Sequence, residues 1–168
     1  MIRLRYAGIK KFDIENGVGV GLTLFTQGCT KFCNGCHNQG TWDFCGGMEF
    51  TIDILNEILE FYKNNPMVKR LTLSGGDPLE SLELSEMVIG NFRALYPNHR
   101  IWVYTGFTYE YLLSDLKYRY ILENIDVLVD GKFEIEKHKH GLRFKGSENQ
   151  RIINVQESLK QSELPPPK

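Results

Sequence analysis

All four cysteines of the chain fall between residues 29 and 45. Three of them read Cys29-Thr30-Lys31-Phe32-Cys33-Asn34-Gly35-Cys36, a C-x3-C-x2-C spacing. Thiolates this close on one loop can converge on a single inorganic centre, and thiolate is a soft ligand that selects zinc, Cu(I) or iron–sulfur clusters. Asn34 and Gly35 are small, so the backbone can turn sharply between the second and third sulfur. Ligand number then decides the chemistry. Four cysteines close the coordination shell and make a structural or electron-transferring centre. Three on a [4Fe-4S] cluster leave one iron open to the amino and carboxylate groups of a substrate. Cys45, at C-x3-C-x2-C-x8-C, is the fourth ligand that a zinc knuckle would need.

A second candidate is Ser74-Gly75-Gly76-Asp77-Pro78, which follows an apolar run and precedes a helical pattern. Glycines let backbone N–H and C=O groups approach a ligand closely, and a nearby helix N-terminus favours carboxylate. Thr105-Gly106 and Asp130-Gly131 are further glycine turns, which read equally well as plain strand ends. His138 and His140, two residues apart, read as a solvated loop rather than as metal ligands. The basic stretch from Lys137 to Lys145, with Arg143 within it, is a candidate partner-facing surface.

These residues need a scaffold. Apolar runs predict strands at Val20–Thr26, Arg70–Leu73, Ile101–Tyr104 and Ile125–Val129, with a short last strand at Arg151–Val155. Helical spacing links Leu55, Ile58, Leu59 and Tyr62 behind a Thr51 N-cap, then Leu84, Met87, Val88, Phe92 and Leu95, then Leu112, Leu113, Leu116 and Tyr120. The alternation predicts an α/β fold with a mainly parallel sheet. Each of the first four strands ends in a polar or glycine-containing turn. If they run parallel, those turns share the carboxyl edge of the sheet, where such folds keep their chemistry. Residues 1–155 read as a single domain, 132–147 as polar and irregular, and 156–168 as a flexible polar tail ending in Pro-Pro-Pro.

Composition narrows the setting. At 168 residues and 42% hydrophobic, the chain is large enough to bury a core without disulfides. A net charge of −1 gives no basic field for nucleic acid or a membrane surface. With no apolar stretch of signal or spanning length, the chain is expected to be cytoplasmic, with its cysteines reduced.

The C-x3-C-x2-C loop after the first clear strand, with a Gly-Gly-acid turn after the next, resembles the radical S-adenosylmethionine (SAM) superfamily. That resemblance implies one [4Fe-4S] cluster on Cys29, Cys33 and Cys36, with SAM chelated by the open iron and Cys45 without a role. Gly75, Gly76 and Asp77 stand where the superfamily holds the SAM amino group through backbone carbonyls and an acidic side chain, more often glutamate. Gly35 stands where an aromatic residue usually precedes the third cysteine. Gly35, Cys36, His37, Asn38 and Thr105 complete the implied cofactor contacts.

Two stretches select within the superfamily. Cys36-His37-Asn38-Gln39-Gly40-Thr41-Trp42 resembles the segment after the cluster in glycyl-radical-enzyme activases. Asp130-Gly131-Lys132-Phe133 and Phe144-Lys145-Gly146-Ser147-Glu148-Asn149-Gln150-Arg151 are similar to the family of activating proteins of anaerobic ribonucleoside-triphosphate reductases, with Phe144 and Lys145 where tryptophan and arginine are usual. The early Asn16-Gly17 segment matches too, and the likeness runs from about residue 12 to 154. It implies a shortened (β/α) barrel open on one side, since a full barrel needs about 250 residues. It also implies a reduced flavodoxin-like electron donor and the large subunit of the reductase as partner. One electron would cleave SAM to methionine and a 5′-deoxyadenosyl radical, which removes hydrogen from one glycine of the reductase. Cluster and SAM would carry that chemistry, so no side chain is named as catalytic. Two alternatives stand beside it: a small radical SAM enzyme of the 7-carboxy-7-deazaguanine synthase type, and a non-catalytic zinc-binding module.

Overall fold

The computed structural model describes residues 3–163. Seven strands form one sheet: β1 (Arg5–Asp13), β2 (Gly21–Thr26), β3 (Met48–Glu49), β4 (Arg70–Gly75), β5 (Arg100–Tyr104), β6 (Val127–Asp130) and β7 (Arg151–Asn154). Across the sheet the order is β3-β1-β2-β4-β5-β6-β7. The four central strands, β2, β4, β5 and β6, run parallel, in register from Gly21 opposite Arg70 and Arg70 opposite Arg100. Antiparallel partners flank them: β1 on β2, β3 on β1, and β7 on β6.

The two faces of the parallel strands differ in kind. Successive residues of a strand point to opposite faces. Leu22, Leu24, Leu71, Leu73, Ile101, Val103 and Leu128 lie in one buried cluster. It is completed by Leu55, Ile58 and Tyr62 of α1 (Ile52–Asn64), and by Leu84, Val88 and Phe92 of α2 (Leu82–Leu95). Ile121 and Leu122 of α4 (Arg119–Asn124) join the same cluster. Each such fully buried aliphatic side chain contributes roughly 1.5–3 kcal/mol. The residues between them, Thr23 and Phe25, Thr72 and Ser74, Trp102 and Tyr104, turn to the other face. There Trp102 meets not a helix but the ring of Phe144, with centroids 5.4 Å apart.

The amino edge of the sheet is locked by Arg70, which is 1% exposed. Its guanidinium donates to the carbonyls of Gly17 at 2.6 Å, Gly19 at 2.7 Å and Asp13 at 2.9 Å, to Thr72 Oγ1 at 2.9 Å, and to Asp13 Oδ2 at 3.2 Å. The Asp13 carboxylate also accepts from Thr23 Oγ1, Asn16 Nδ2 and the Glu15 amide. Gly17 has φ +143° and lies so close to Arg70 that an added Cβ would fall 2.5 Å from its Cδ.

The expected Thr51 cap is present, accepting from the Ile54 amide. The structure departs from or adds to the sequence reading at three places. Strand β1 was not read from the sequence. Its pairing with β2 is interrupted by irregularities at Tyr6/Gly8 and Lys10/Asp13, and Phe12 has φ +53°, so its alternation is broken. The helix read through Leu112–Tyr120 is split into α3 (Tyr109–Leu113), a 3-10 turn at Leu116–Tyr118 and α4. Asp115 restarts the chain by accepting from the Lys117 amide, and Leu116 is left exposed. The stretch read as a tail begins with α5 (Val155–Glu163), anchored by buried Val155, with Gln156 donating to the Leu122 and Ile125 carbonyls. Residues 164–168 lie outside the described residues.

Candidate functional site

Because β2, β4, β5 and β6 are parallel, their four terminal turns do share one edge. The loop after β2 is closed at its base: the Gly28 amide donates to the Thr41 carbonyl at 2.7 Å and the Cys29 amide to Trp42 at 3.2 Å. Gln27 braces it from within, its Nε2 donating to the Gly40 and Asp43 carbonyls. Within the loop the Cys36 amide donates to the Cys33 carbonyl at 3.1 Å, forming the tight turn that Gly35 permits with φ +75°. Cys29, Cys33 and Cys36 are half-buried thiols, whereas Cys45 is exposed.

The glycine turn after β4 packs directly on this loop. Gly76 donates to the Thr26 carbonyl and Asp77 to the Gly28 carbonyl, both at 2.9 Å. An added Cβ on Gly76 would lie 2.4 Å from the Gly28 oxygen, and one on Gly75 2.5 Å from the Thr26 nitrogen. The fold itself therefore requires both glycines.

Cys29, Cys33, Cys36, His37, Asn38, Gly75, Gly76, Asp77 and Thr105 all line one cavity of about 520 Å³. Gly35 does not. It faces Ile135, whose Cδ1 would lie 2.4 Å from an added Cβ. The cavity runs from the cysteine loop over the polar face of the sheet, along Phe25, Ser74 and Tyr104, to Asn16. Of these, Phe25 and Tyr104 were not singled out as site residues from the sequence, although the alternation Leu-Thr-Leu-Phe and Leu-Thr-Leu-Ser marks a second, non-helical face.

A strap formed by residues 131–150 covers the cavity. Gln150 ties it together, donating to the Gly131 carbonyl at 3.0 Å and accepting from the Gly146 amide at 2.8 Å. Asn149 donates to Lys132, and Tyr104 Oη donates to the Phe144 carbonyl. His138 sits against the Gly146 carbonyl at 2.6 Å and meets His37 and His140 edge-on, with ring centroids 6.1 and 5.8 Å away. Lys137 pairs with Glu134 and Lys139 with Glu148, while Arg151 leaves the strap for Asp130 and Glu110.

Asp77 is buried and fully engaged. It accepts from the Leu79 amide at 3.0 Å, Thr105 Oγ1 at 2.9 Å and the Gly106 amide at 2.9 Å, and it pairs with Lys31 Nζ at 2.8 Å. Lys31 also faces Glu80 at 3.3 Å and stands 3.5 Å above the Phe107 ring. Thr30 holds Glu80 through its hydroxyl and amide. Burial pushes the Cys29 thiol up to about 11, with the Asp77 and Glu80 charges adding to it.

Among the described residues, the only group of three acidic, cysteine or histidine side chains with ligand atoms within 4.8 Å of one another is Cys29, Asp77 and Glu80. Its carboxylates are already committed to Lys31, Thr30, Thr105 and backbone amides. Three thiols on one cavity wall make a soft donor set of the kind that zinc or an iron–sulfur cluster takes. Cavities of this volume hold small-molecule cofactors.

Residues 15–153 match the model of the 4Fe-4S single cluster domain family. The chain is also similar to three proteins named anaerobic ribonucleoside-triphosphate reductase-activating protein. That of Pasteurella multocida is 40% identical over 89% of this chain and 96% of its own length. The Vibrio cholerae protein is 38% identical over 89% and 97%. The phage T4 protein is 34% identical over 89% and 93%.

Proposed function

From the premise that this chain belongs to the anaerobic ribonucleoside-triphosphate reductase-activating proteins of the 4Fe-4S single cluster family, we propose that it installs a glycyl radical on such a reductase by radical SAM chemistry. The observation that carries this reading is the convergence of three thiols, the Gly75-Gly76 turn and Thr105 on one cavity. In this reading Cys29, Cys33 and Cys36 hold the [4Fe-4S] cluster, and Cys45, outside the cavity lining, has no part in it. Gly75, Gly76, Thr105, His37 and Asn38 surround SAM. When bound, the cluster and SAM supply one-electron cleavage and removal of a hydrogen atom from a glycine.

The chain's own contribution is placement and exclusion of water. Gly76 packs on Gly28 at a spacing that no larger residue at position 76 allows, which brings the two turns together. Phe133, Leu142 and Phe144 of the strap roof the cavity with apolar surface. The parallel strands with antiparallel flanks serve as a shortened barrel open on one side, through which a glycine loop of the reductase large subunit enters. A reduced flavodoxin-like protein supplies the electron, and the chain acts in the cytoplasm. No helix among the described residues is long and apolar enough to cross a membrane.

The test is anaerobic reconstitution with iron and sulfide, reduction, and addition of SAM with the reductase. Expected are 5′-deoxyadenosine and a glycyl radical signal on the reductase, both abolished in Cys29→Ala, Cys33→Ala and Cys36→Ala. 5′-Deoxyadenosine without a radical on the reductase redirects the reading to a small-molecule substrate. Tight zinc held by all four cysteines, with no product, overturns it in favour of a structural module.

A further inference from the structure

Two carboxylates tie the cysteine loop to its neighbours, and both face a sulfur. Asp77 joins the turns after β4 and β5 through Thr105 and the Gly106 amide, and Glu80 holds Thr30 of the cysteine loop. One oxygen of each lies within 4.8 Å of Cys29 Sγ. Negative charges so close to a cluster ligand make the arrival of an electron harder, because iron–sulfur potentials follow the local net charge. Burial keeps salt and water from screening them.

Lys31 is the cation set against this pair. It lies between Cys29 and Cys33 in the chain, yet its side chain points inward and is only 7% exposed. Its ammonium stands 2.8 Å from Asp77 Oδ2, 3.3 Å from Glu80 Oε2 and 3.5 Å above the Phe107 ring. Despite these distances the nitrogen makes no well-aligned hydrogen bond among the described residues, so it serves the carboxylates as a point charge. Nor do the carboxylates need it to keep their places. Thr105 and the Leu79 and Gly106 amides hold Asp77, and Thr30 holds Glu80. We propose that Lys31 sets the reduction potential of the cluster: its buried charge offsets the field of Asp77 and Glu80 at Cys29 and makes one-electron reduction easier. The inference rests on the radical SAM reading above, in which Cys29 is a cluster ligand. The electron comes from the flavodoxin-like donor of that reading, the cluster gains it, and no bond or proton moves in the step. Lys31 acts through the Cys29 sulfur, which makes it a positioning residue rather than a catalytic one.

The experiment reconstitutes wild type, Lys31→Met, Glu80→Gln and the double variant with iron and sulfide, and titrates each cluster against redox mediators without SAM. The reduced cluster is followed by its paramagnetic resonance signal at about pH 8, where carboxylates stay ionised. Methionine keeps the stem, and glutamine keeps an acceptor for Thr30, so each single variant changes chiefly one charge. Lys31→Met is expected to make reduction about tenfold less favourable, a potential lower by about 59 mV for one electron. Glu80→Gln is expected to raise the potential, and the double variant to lie between the two. A cluster-loaded Lys31→Met protein with the wild-type potential overturns the inference and leaves the radical SAM reading standing. A wild-type protein that takes up no [4Fe-4S] cluster overturns both. A double variant as low as Lys31→Met marks a distorted loop rather than a charge effect, and overturns the inference too. Should Lys31→Met hold no cluster, Glu80→Gln decides alone: a potential that does not rise overturns the inference.

Discussion

The two ends of β4 each carry a buried cation, and they are built to opposite purposes. At the amino end, Arg70 spends its donors on Asp13, Thr72 and the carbonyls of the Gly17–Gly19 turn, in a planar fork with no slack. At the carboxyl end, Lys31 reaches Asp77 and Glu80 from a neighbouring loop with a single nitrogen on a four-carbon stem. Both pairs are buried, so burial alone does not say how firmly each cation is held. The difference lies in the number and direction of donors, and in whether the partner anion has other hydrogen bonds when the cation leaves.

The comparison assigns stability to one end of β4 and chemistry to the other, and it is open to test at both. The largest effect is expected from Cys33→Ala. Iron in the reconstituted protein should fall from about four per chain to near none, while the metal-free chain unfolds within about 0.5 kcal/mol of wild type in urea. A large loss of metal-free stability would erase the division. Next comes Arg70→Met, which leaves the Asp13 carboxylate buried without its cation and should cost about 3–5 kcal/mol.

Acid should act on the same end. Burial would raise the Asp13 carboxyl, but hydrogen bonds from Thr23, the Glu15 amide and Asn16, with the Arg70 charge, hold it below its ordinary value. In acid the unfolded chain then binds the extra proton, so this contribution is complete above about pH 4 and is lost as pH falls through the folded value. The stability gap between wild type and Asp13→Asn should accordingly narrow on acidification, as urea midpoints across that range will reveal. A gap that stays constant would mean that Asp13 is not the group responsible.

Smaller still is the expected cost of Lys31→Met in the metal-free chain, about 1 kcal/mol or less, because Asp77 keeps its three other donors. A cost equal to that of Arg70→Met would show the two ends to be alike. Cys45→Ser should change neither iron content nor stability, whereas a fourfold cysteine site would lose its metal.

Much of this division was legible in the residue order. The cysteine spacing and the turns ending four strands located the carboxyl edge as the site, and parallel pairing brought them together. Lys31 was not legible, because it occupies a spacer position inside the cysteine motif and its partners come from the loops after β4 and β5. Arg70 reads merely as the first residue of a strand, since its role depends on carbonyls of the Gly17–Gly19 turn, which local periodicity does not reach. Strand β1 escaped for a related reason: two irregularities in its pairing destroy the period of two by which strands are recognised. Gly35 shows the converse limit. The motif placed it beside the cofactor, but its positive φ serves the turn and its free face serves Ile135.

One feature of the fold bears on how the chain behaves among its own copies. A sheet that ends in open edges offers rows of unpaired amides to any strand that comes alongside. Here one terminal strand, β3, is two residues long and carries Glu49 beside Arg3, and the other, β7, is four residues long and begins at the ion-paired Arg151. Edges so short and so charged give a stray strand little to template on. Fibrous self-association through the sheet is thereby disfavoured, even though the sheet is broad.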